Sequence, residues 1–282
     1  MNNYESIEFE TRDTGIARLR LNRPDAHNLM TPTMMREVQD ALSRVHRDRT
    51  LRVLILAANG RSFCPGVARE KGASSLPKRV AVIPIDATIP RLLYTAPIPT
   101  IAAVNGACAG VGLGLACACD LRICTPDAVF RSAFLSVGLA GDMGLPWLLS
   151  RILGTAKARE ISFLDKRVSA DEALRIGLVS HLFDSSDFAE EVEKIAIQLA
   201  DGPPLATRAL KSHYLAAERM GFEDFIDLEF QRHFHLAETD DFKEGWQALA
   251  ERRKPAFSAP PKEVSDKSLD TANQHQHIER ND

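Results

Sequence analysis

The stretch "PTIAAVNGACAGVGLGLACACDLRI", residues 99–123, places Gly106, Gly110, Gly112 and Gly114 among small and apolar neighbours, and its first charge is Asp120. Ile101–Val104 reads as a buried strand, Asn105-Gly106 as a turn, and the residues from about Gly112 as a helix. Ile98–Cys119 is apolar enough to raise the question of a membrane span. Asn105, the glycines, Pro97 and Pro99 fit a strand, a turn and a buried helix better. A dinucleotide loop is also a poor fit, because Leu115 stands where G-x-G-x-x-G needs its third glycine, and no Walker lysine follows. Two readings remain open. The glycines let a helix pack closely on a strand, or they bring backbone N–H groups of a helix start close to a partly negative oxygen.

A second stretch has the same design. In "VLILAANGRSFCPGVA" a buried strand ends in Asn59-Gly60, and a tight turn carries Pro65-Gly66-Val67. Two strand-end loops, each offering a backbone N–H, would make an oxyanion hole.

The surrounding chain is that of a large globular protein. Its 282 residues are 45% hydrophobic and 26% charged with a formal net charge of -3, which gives no reason to expect nucleic acid or an anionic membrane as partner. Cys64, Cys108, Cys117, Cys119 and Cys124 are an odd set, four of them in one apolar segment. They suit buried, reduced thiols in a cytoplasmic protein and lack the paired spacing of a metal site. "MNNYESIEFETRDTG" has no basic region followed by an apolar run, so no secretory signal is expected.

Elements follow from periodicity. Ile7–Thr11 and Ile16–Leu21 around Asp13-Thr14-Gly15 predict a hairpin. Thr31 and Pro32 predict the start of a helix with Met34, Met35, Val38, Leu42 and Val45 on its apolar face. "LRVLILAANG" and "PTIAAVNG" read as buried strands, "IDATIPRLLYTA" as a short helix, "LRICTPDAVF" as one further strand, and residues 71–84 as a loop. Strands alternating with helices predict an α/β fold. Ser169 and Glu172 predict a capping box, and helices are expected over residues 188–199, 205–219 and 223–252, the last broken near Asp240. The expected division is a spiral core over residues 1–200, a helical region over 201–257 and a disordered tail over 258–282.

The sequence resembles the crotonase, or enoyl-CoA hydratase/isomerase, superfamily. "LNRPDAHNLM", "VLILAANGRSFCPGV", the opening stretch, "VGLAGDMGLPWLLSRILGTAKARE", "RVSADEALRIGLVSHLF" and "GWQALAERRKPAF" match its motifs in order. The resemblance implies a crotonase-like spiral of ββα units with a C-terminal helical region and a homotrimer or dimer of trimers. It also implies an acyl-CoA thioester substrate, with no separate cofactor and no metal. It puts the oxyanion donors on the N–H groups of Val67 and Val111.

Family hydratases carry two glutamates that hold a water; here these positions fall on Gly114 and Phe134. Neither moves a proton, so ordinary hydration is not expected. Asp142, in "VGLAGDMG", matches the aspartate of dienoyl-CoA isomerases and of the isomerase that rearranges ring-epoxidised phenylacetyl-CoA. A carboxylate in an apolar pocket would take and return a proton; alternatively, Asp142 caps a helix beginning near Met143. The family's aryl-CoA dehalogenases use this aspartate as nucleophile with a histidine on the preceding helix, and "IPIDATIPRLLYTA" has none. Phe134, Gly114 and Trp147 are expected in the substrate pocket, the aromatics otherwise serving as core. Arg69, Lys71 and Lys254 are expected to reach CoA phosphates, although Ala68 replaces a family aspartate. Glu70 and Asp86 are alternative second carboxylates or plain surface. An isomerase is the favoured expectation. The alternatives are a hydratase-like lyase with atypical catalytic residues and a non-catalytic acyl-CoA-binding homologue.

Overall fold

The computed structural model describes residues 4–68 and 84–258. Along the chain the described elements are β1 (Ile7–Thr11), β2 (Ile16–Leu21), α1 (Pro32–Arg47), β3 (Val53–Ala58), β4 (Ser62–Cys64), α2 (Pro84–Tyr94), β5 (Thr100–Val104), β6 (Ala107–Ala109) and α3 (Val111–Ala118). They continue with β7 (Leu121–Cys124), β8 (Val129–Arg131), α4 (Leu145–Phe163), β9 (Val168–Ser169), α5 (Ala170–Arg175), β10 (His181–Leu182), α6 (Phe188–Ala200), α7 (Pro204–Ala217), α8 (Phe222–Ala237) and α9 (Asp240–Glu251).

The strands sort into two sheets. The larger has the order β1-β2-β3-β5-β7-β10 and the smaller β4-β6-β8-β9. β3, β5 and β7 each lie in the larger sheet, and each is followed by a short strand of the smaller one: β4, β6 and β8. A helix then returns the chain, so β3-β4-α2, β5-β6-α3 and β7-β8-α4 are three successive ββα turns of a spiral. Parallel pairing of β3 with β5 and of β5 with β7 follows from that repeated return.

Side-chain alternation divides the core. Leu54, Leu56, Ala102 and Val104 point to the main core with α1 and α3, while Val53, Ile55, Ile101 and Ala103 point to a second core with Val192 and Ala196 of α6. The larger sheet is buried on both faces, which explains its continuous apolar strands. The Thr31 hydroxyl accepts the Met34 N–H at 3.2 Å and starts α1 as predicted. Met34, Val38, Leu42 and Val45 are fully buried along its inner face.

The glycine stretch is a packing device. Every residue of α3 is buried. A Cβ on Gly112 would overlap the carbonyl oxygen of Cys64 and come within 2.8 Å of its carbonyl carbon. A Cβ on Gly106 would overlap the carbonyl oxygen of Arg61. No helix among the described residues is long and apolar enough to cross a membrane.

Three local expectations change. "LRICTPDAVF" is two strands in different sheets, because Ala128 N–H closes a turn on the Thr125 carbonyl between them. The helix expected near Met143 starts at Leu145. The capping box is half made: Ser169 Oγ accepts the Glu172 N–H, but the Glu172 carboxylate turns to Lys166 Nζ at 2.8 Å. The expected loop over residues 71–84 lies outside the described residues except for Pro84, which opens α2. The expected tail lies outside them from residue 259.

Candidate active site

The site is built around the start of α3. Gly110, at φ 54° and ψ -118°, is its N-cap, and the first helical bond runs from the Gly114 N–H to the Gly110 carbonyl. Val111 therefore presents an N–H with no intrahelical acceptor, at the positive end of the helix dipole.

The second loop is held by Met30. Met30 N–H donates to the Gly66 carbonyl at 2.9 Å, and Ala68 N–H donates to the Met30 carbonyl at 2.8 Å. This is a parallel bridge between Met30 and Val67, so the N–H of Val67 points away from Met30. Among the described residues neither the Val67 nor the Val111 amide donates a hydrogen bond. The Cys64–Gly112 approach docks the two loops, Cys64 standing just before the Pro65-Gly66-Val67 turn and Gly112 beside Val111.

A third loop brings Asp142. Gly141, Met143 and Gly144 all have positive φ, at 147°, 54° and 71°. This places the Met143 side chain, 4% exposed, over Gly114, where an added Cβ would overlap Met143 Cβ and lie 3.1 Å from its Cγ. Asp142 Oδ1 accepts the Met143 N–H at 2.7 Å, and Oδ2 has no partner among the described residues. Asp142 does not cap the next helix: Gly144 is the N-cap of α4, with no side-chain capping bond. Nor is it in an apolar pocket, since in the single chain it is exposed. The expectation of burial is corrected here; the left-handed turn at Met143 sends one side chain inward and its neighbour out.

Phe134 is 9% exposed, and its ring edge comes within 3.9 Å of where a Gly110 Cβ would stand. It stands beside the N-terminus of α3. Trp147 lies in the first turn of α4. At 42% exposure it meets Tyr94 edge-on with centroids 5.2 Å apart, and the Arg151 guanidinium lies 3.5 Å over its ring. The Tyr94 hydroxyl donates to Glu218, and burial together with that carboxylate raises its pKa.

Of the expected CoA-binding residues, Arg69 and Lys71 lie outside the described residues, as do Glu70 and the side chain of Asp86. Lys254 pairs with Asp201 at 2.6 Å, and Arg253 with Glu244 and Glu251. Arg253 and Lys254 at the end of α9 are thus engaged with carboxylates in the single chain. Burial raises the pKa of Cys64 to about 11, so the thiol beside the Val67 turn is not a nucleophile at neutral pH.

The sequence reading assigned no role to Asn28, which fixes the entry to the second loop. Fully buried at φ 57°, it donates to the carbonyls of Asn59 and Ser62, both at 2.8 Å, and accepts the Arg23 N–H at 2.7 Å. Its signal in "RPDAHNLM" is an asparagine, one of the few residues that tolerate the left-handed region.

Residues 11–260 match the family model described as Enoyl-CoA hydratase/isomerase. A Rhodobacter capsulatus protein named "Probable enoyl-CoA hydratase" is 33% identical over 256 residues, covering 90% of this chain and 98% of the relative. The 1,2-epoxyphenylacetyl-CoA isomerase of Escherichia coli is 32% identical over 253 residues, covering 87% and 96%. Among solved structures, an enoyl-CoA hydratase from Bacillus anthracis superposes with a TM-score of 0.85 at 26% identity, covering 91% of this chain and all of that one. The chain belongs to the enoyl-CoA hydratase/isomerase family of acyl-CoA enzymes, with the crotonase fold.

Proposed function

We propose that this protein is an enoyl-CoA isomerase that moves a proton through a thioester enolate, with Asp142 as the acid/base. One observation carries the reading. Met143 fills the room above Gly114, where family hydratases place a glutamate, so the next carboxylate along that loop is Asp142. The N–H groups of Val67 and Val111 bind the thioester oxygen, each contributing about 2.7–4 kcal/mol to the barrier reduction. Asp142 Oδ2 takes a proton from carbon 2 of a 3-enoyl thioester. The electron pair spreads over the dienolate, and the same oxygen returns the proton at carbon 4 to give the conjugated 2-enoyl product. Phe134 and Gly114 shape the acyl pocket. Arg69, Lys71 and Lys254 are proposed for the CoA phosphates, Lys254 after release from Asp201. Trp147 is proposed as a pocket residue only at its outer margin, given its packing on Arg151.

The hydratase reading is favoured by the names of the Rhodobacter capsulatus and Bacillus anthracis proteins. A non-catalytic acyl-CoA binder is favoured by the loss of both glutamates. One experiment separates them: the full chain is mixed with 3-enoyl-CoA and 2-enoyl-CoA thioesters, and each product is followed. Isomerisation that vanishes in Asp142→Asn is the expected result. Hydration that persists in Asp142→Asn would support the hydratase, and tight binding without turnover would support the binder.

Assembly is part of the proposal. Phe222, Phe230, Phe234, Trp246 and Leu249 of α8 and α9 are 53–77% exposed, a concentration of apolar surface of the kind that marks an interaction site. Leu135, Val137 and Leu139 beside the Asp142 loop are also exposed. A homotrimer or a dimer of trimers would cover such surfaces, and the buried, unpaired thiols suit a cytoplasmic setting.

A further inference from the structure

Asp165 sits in an expensive position. It is the residue after the C-cap of α4, at φ 46°, where a glycine is usually found. Its negative charge is also at the end of the helix that favours cations. A side chain that costs stability twice is held there by what it touches. Asp165 Oδ1 accepts from Arg131 Nε at 3.0 Å, from the Ala133 N–H at 2.9 Å and from Ser132 Oγ at 3.4 Å, and Oδ2 pairs with Arg131 Nη2. Burial works against the charged carboxylate, yet the bonds from Arg131 and Ala133 hold its pKa below the ordinary aspartate value.

The three residues gripped by this carboxylate connect to both sides of the candidate site. The Arg131 carbonyl accepts the Gly110 N–H at 3.1 Å and so fixes the N-cap of α3, from which Val111 presents its amide. Ala133 is itself in the left-handed region at φ 61°, a strained conformation for alanine, and Phe134 follows it. In that conformation the Ala133 N–H donates to Asp165, and the Phe134 ring that follows reaches the position of Gly110. We infer that Asp165 is a positioning residue: by holding the Ala133 N–H and Arg131, it sets where the Val111 amide and the Phe134 ring stand relative to the thioester. The inference rests on the function proposed above for its catalytic consequence, but not for its structural one.

The test uses the full-length protein with Asp165→Gly, which frees the backbone, and Asp165→Asn, which keeps an oxygen for the Ala133 N–H and tolerates positive φ. Amide hydrogen exchange is followed for peptides covering residues 108–113 and 131–139, and steady-state kinetics are measured on a 3-enoyl-CoA thioester. In Asp165→Gly, exchange is expected to accelerate in those two segments and not across the molecule. kcat is expected to fall about 10–100-fold with KM within about twofold. Asp165→Asn should recover most of both. Unchanged exchange in the two segments, acceleration spread over the whole chain, or an asparagine variant as impaired as the glycine one would overturn the inference. If the unaltered protein turns over no thioester, the proposed function fails and the exchange pattern alone decides the role of Asp165.

Discussion

Gly112→Ala tests whether the docking of two loops makes the site. The added methyl would overlap the Cys64 carbonyl oxygen and lie 2.8 Å from both the carbonyl carbon and Cβ of Cys64. Comfortable carbon contacts begin near 3.5 Å, so α3 and the β4 end must separate by about 1 Å. Both contacting groups are on or next to backbone, so neither rotates away. Overpacking of this kind costs about 3 kcal/mol, the upper part of its usual range. Alanine returns about 1 kcal/mol of helix propensity over glycine. The net loss of about 2 kcal/mol should lower the melting temperature by about 3–4 °C, a shift that leaves the protein folded at assay temperature. Catalysis should suffer far more, because an oxyanion donor displaced by about 1 Å can lose about a hundredfold in rate. Calorimetry and thioester isomerisation measured on the same preparation give both numbers. Gly114→Ala is the comparison, since its methyl meets the Met143 side chain and not a carbonyl. A Gly112→Ala protein with unaltered melting and unaltered kcat would refute the docking argument.

Other consequences are independent of that contact. Lys211, 8% exposed, donates to the Ile98 carbonyl at 3.0 Å and pairs with Asp120 at 2.6 Å. Lys211→Ala should cost about 3 kcal/mol in urea unfolding, the low end for breaking a buried pair because Asp120 keeps its bonds from Thr100; a loss below about 1 kcal/mol would contradict this. Burial raises Cys64 and Cys117 to about 11, and Cys119 and Cys124 to about 12. An acid whose folded pKa exceeds its unfolded value gives stability that is complete below the unfolded pKa of about 8.5 and lost as pH rises beyond it. The urea midpoint should therefore hold to about pH 8 and decline through pH 10, at about 1.4 kcal/mol per pH unit for each thiol that ionises on unfolding; a flat profile would count against it. Trp246→Glu should shift sedimentation toward monomer, and an unchanged oligomer would remove α9 from the interface.

Much of this architecture is legible in the sequence because it is local. Alternation marks β1 and β2, threonine and proline mark the start of α1, and the density of small residues marks α3 as a buried helix against backbone. What is illegible depends on residues far apart in the chain. The break in "LRICTPDAVF" belongs to the second sheet, which no single segment announces. Glu172 leaves its capping role because Lys166 is folded back within reach. The exposure of Asp142 goes with the left-handed methionine beside it, whose side chain lies over Gly114. Asn28 and Asp165 look like ordinary loop polars until their acceptors and donors are known.

Those left-handed residues have a common geography. Gly66 and Gly110 border the candidate oxyanion donors, Ala133 precedes Phe134, and Gly141, Met143 and Gly144 surround Asp142. Alanine and methionine do not adopt such conformations unaided, and each costs roughly 1–3 kcal/mol where it persists. The two apolar cores supply the compensation, the larger packed against α3 on one face of the main sheet and the smaller beneath α6 on the other. The strained loops are held by few contacts: the Met30 bridge for one, Asp165 for the second, and Met143, itself part of the larger core, on Gly114 for the third. The glycine at 114 and the methionine at 143 belong together, since any larger side chain at the first would have no room beside the second.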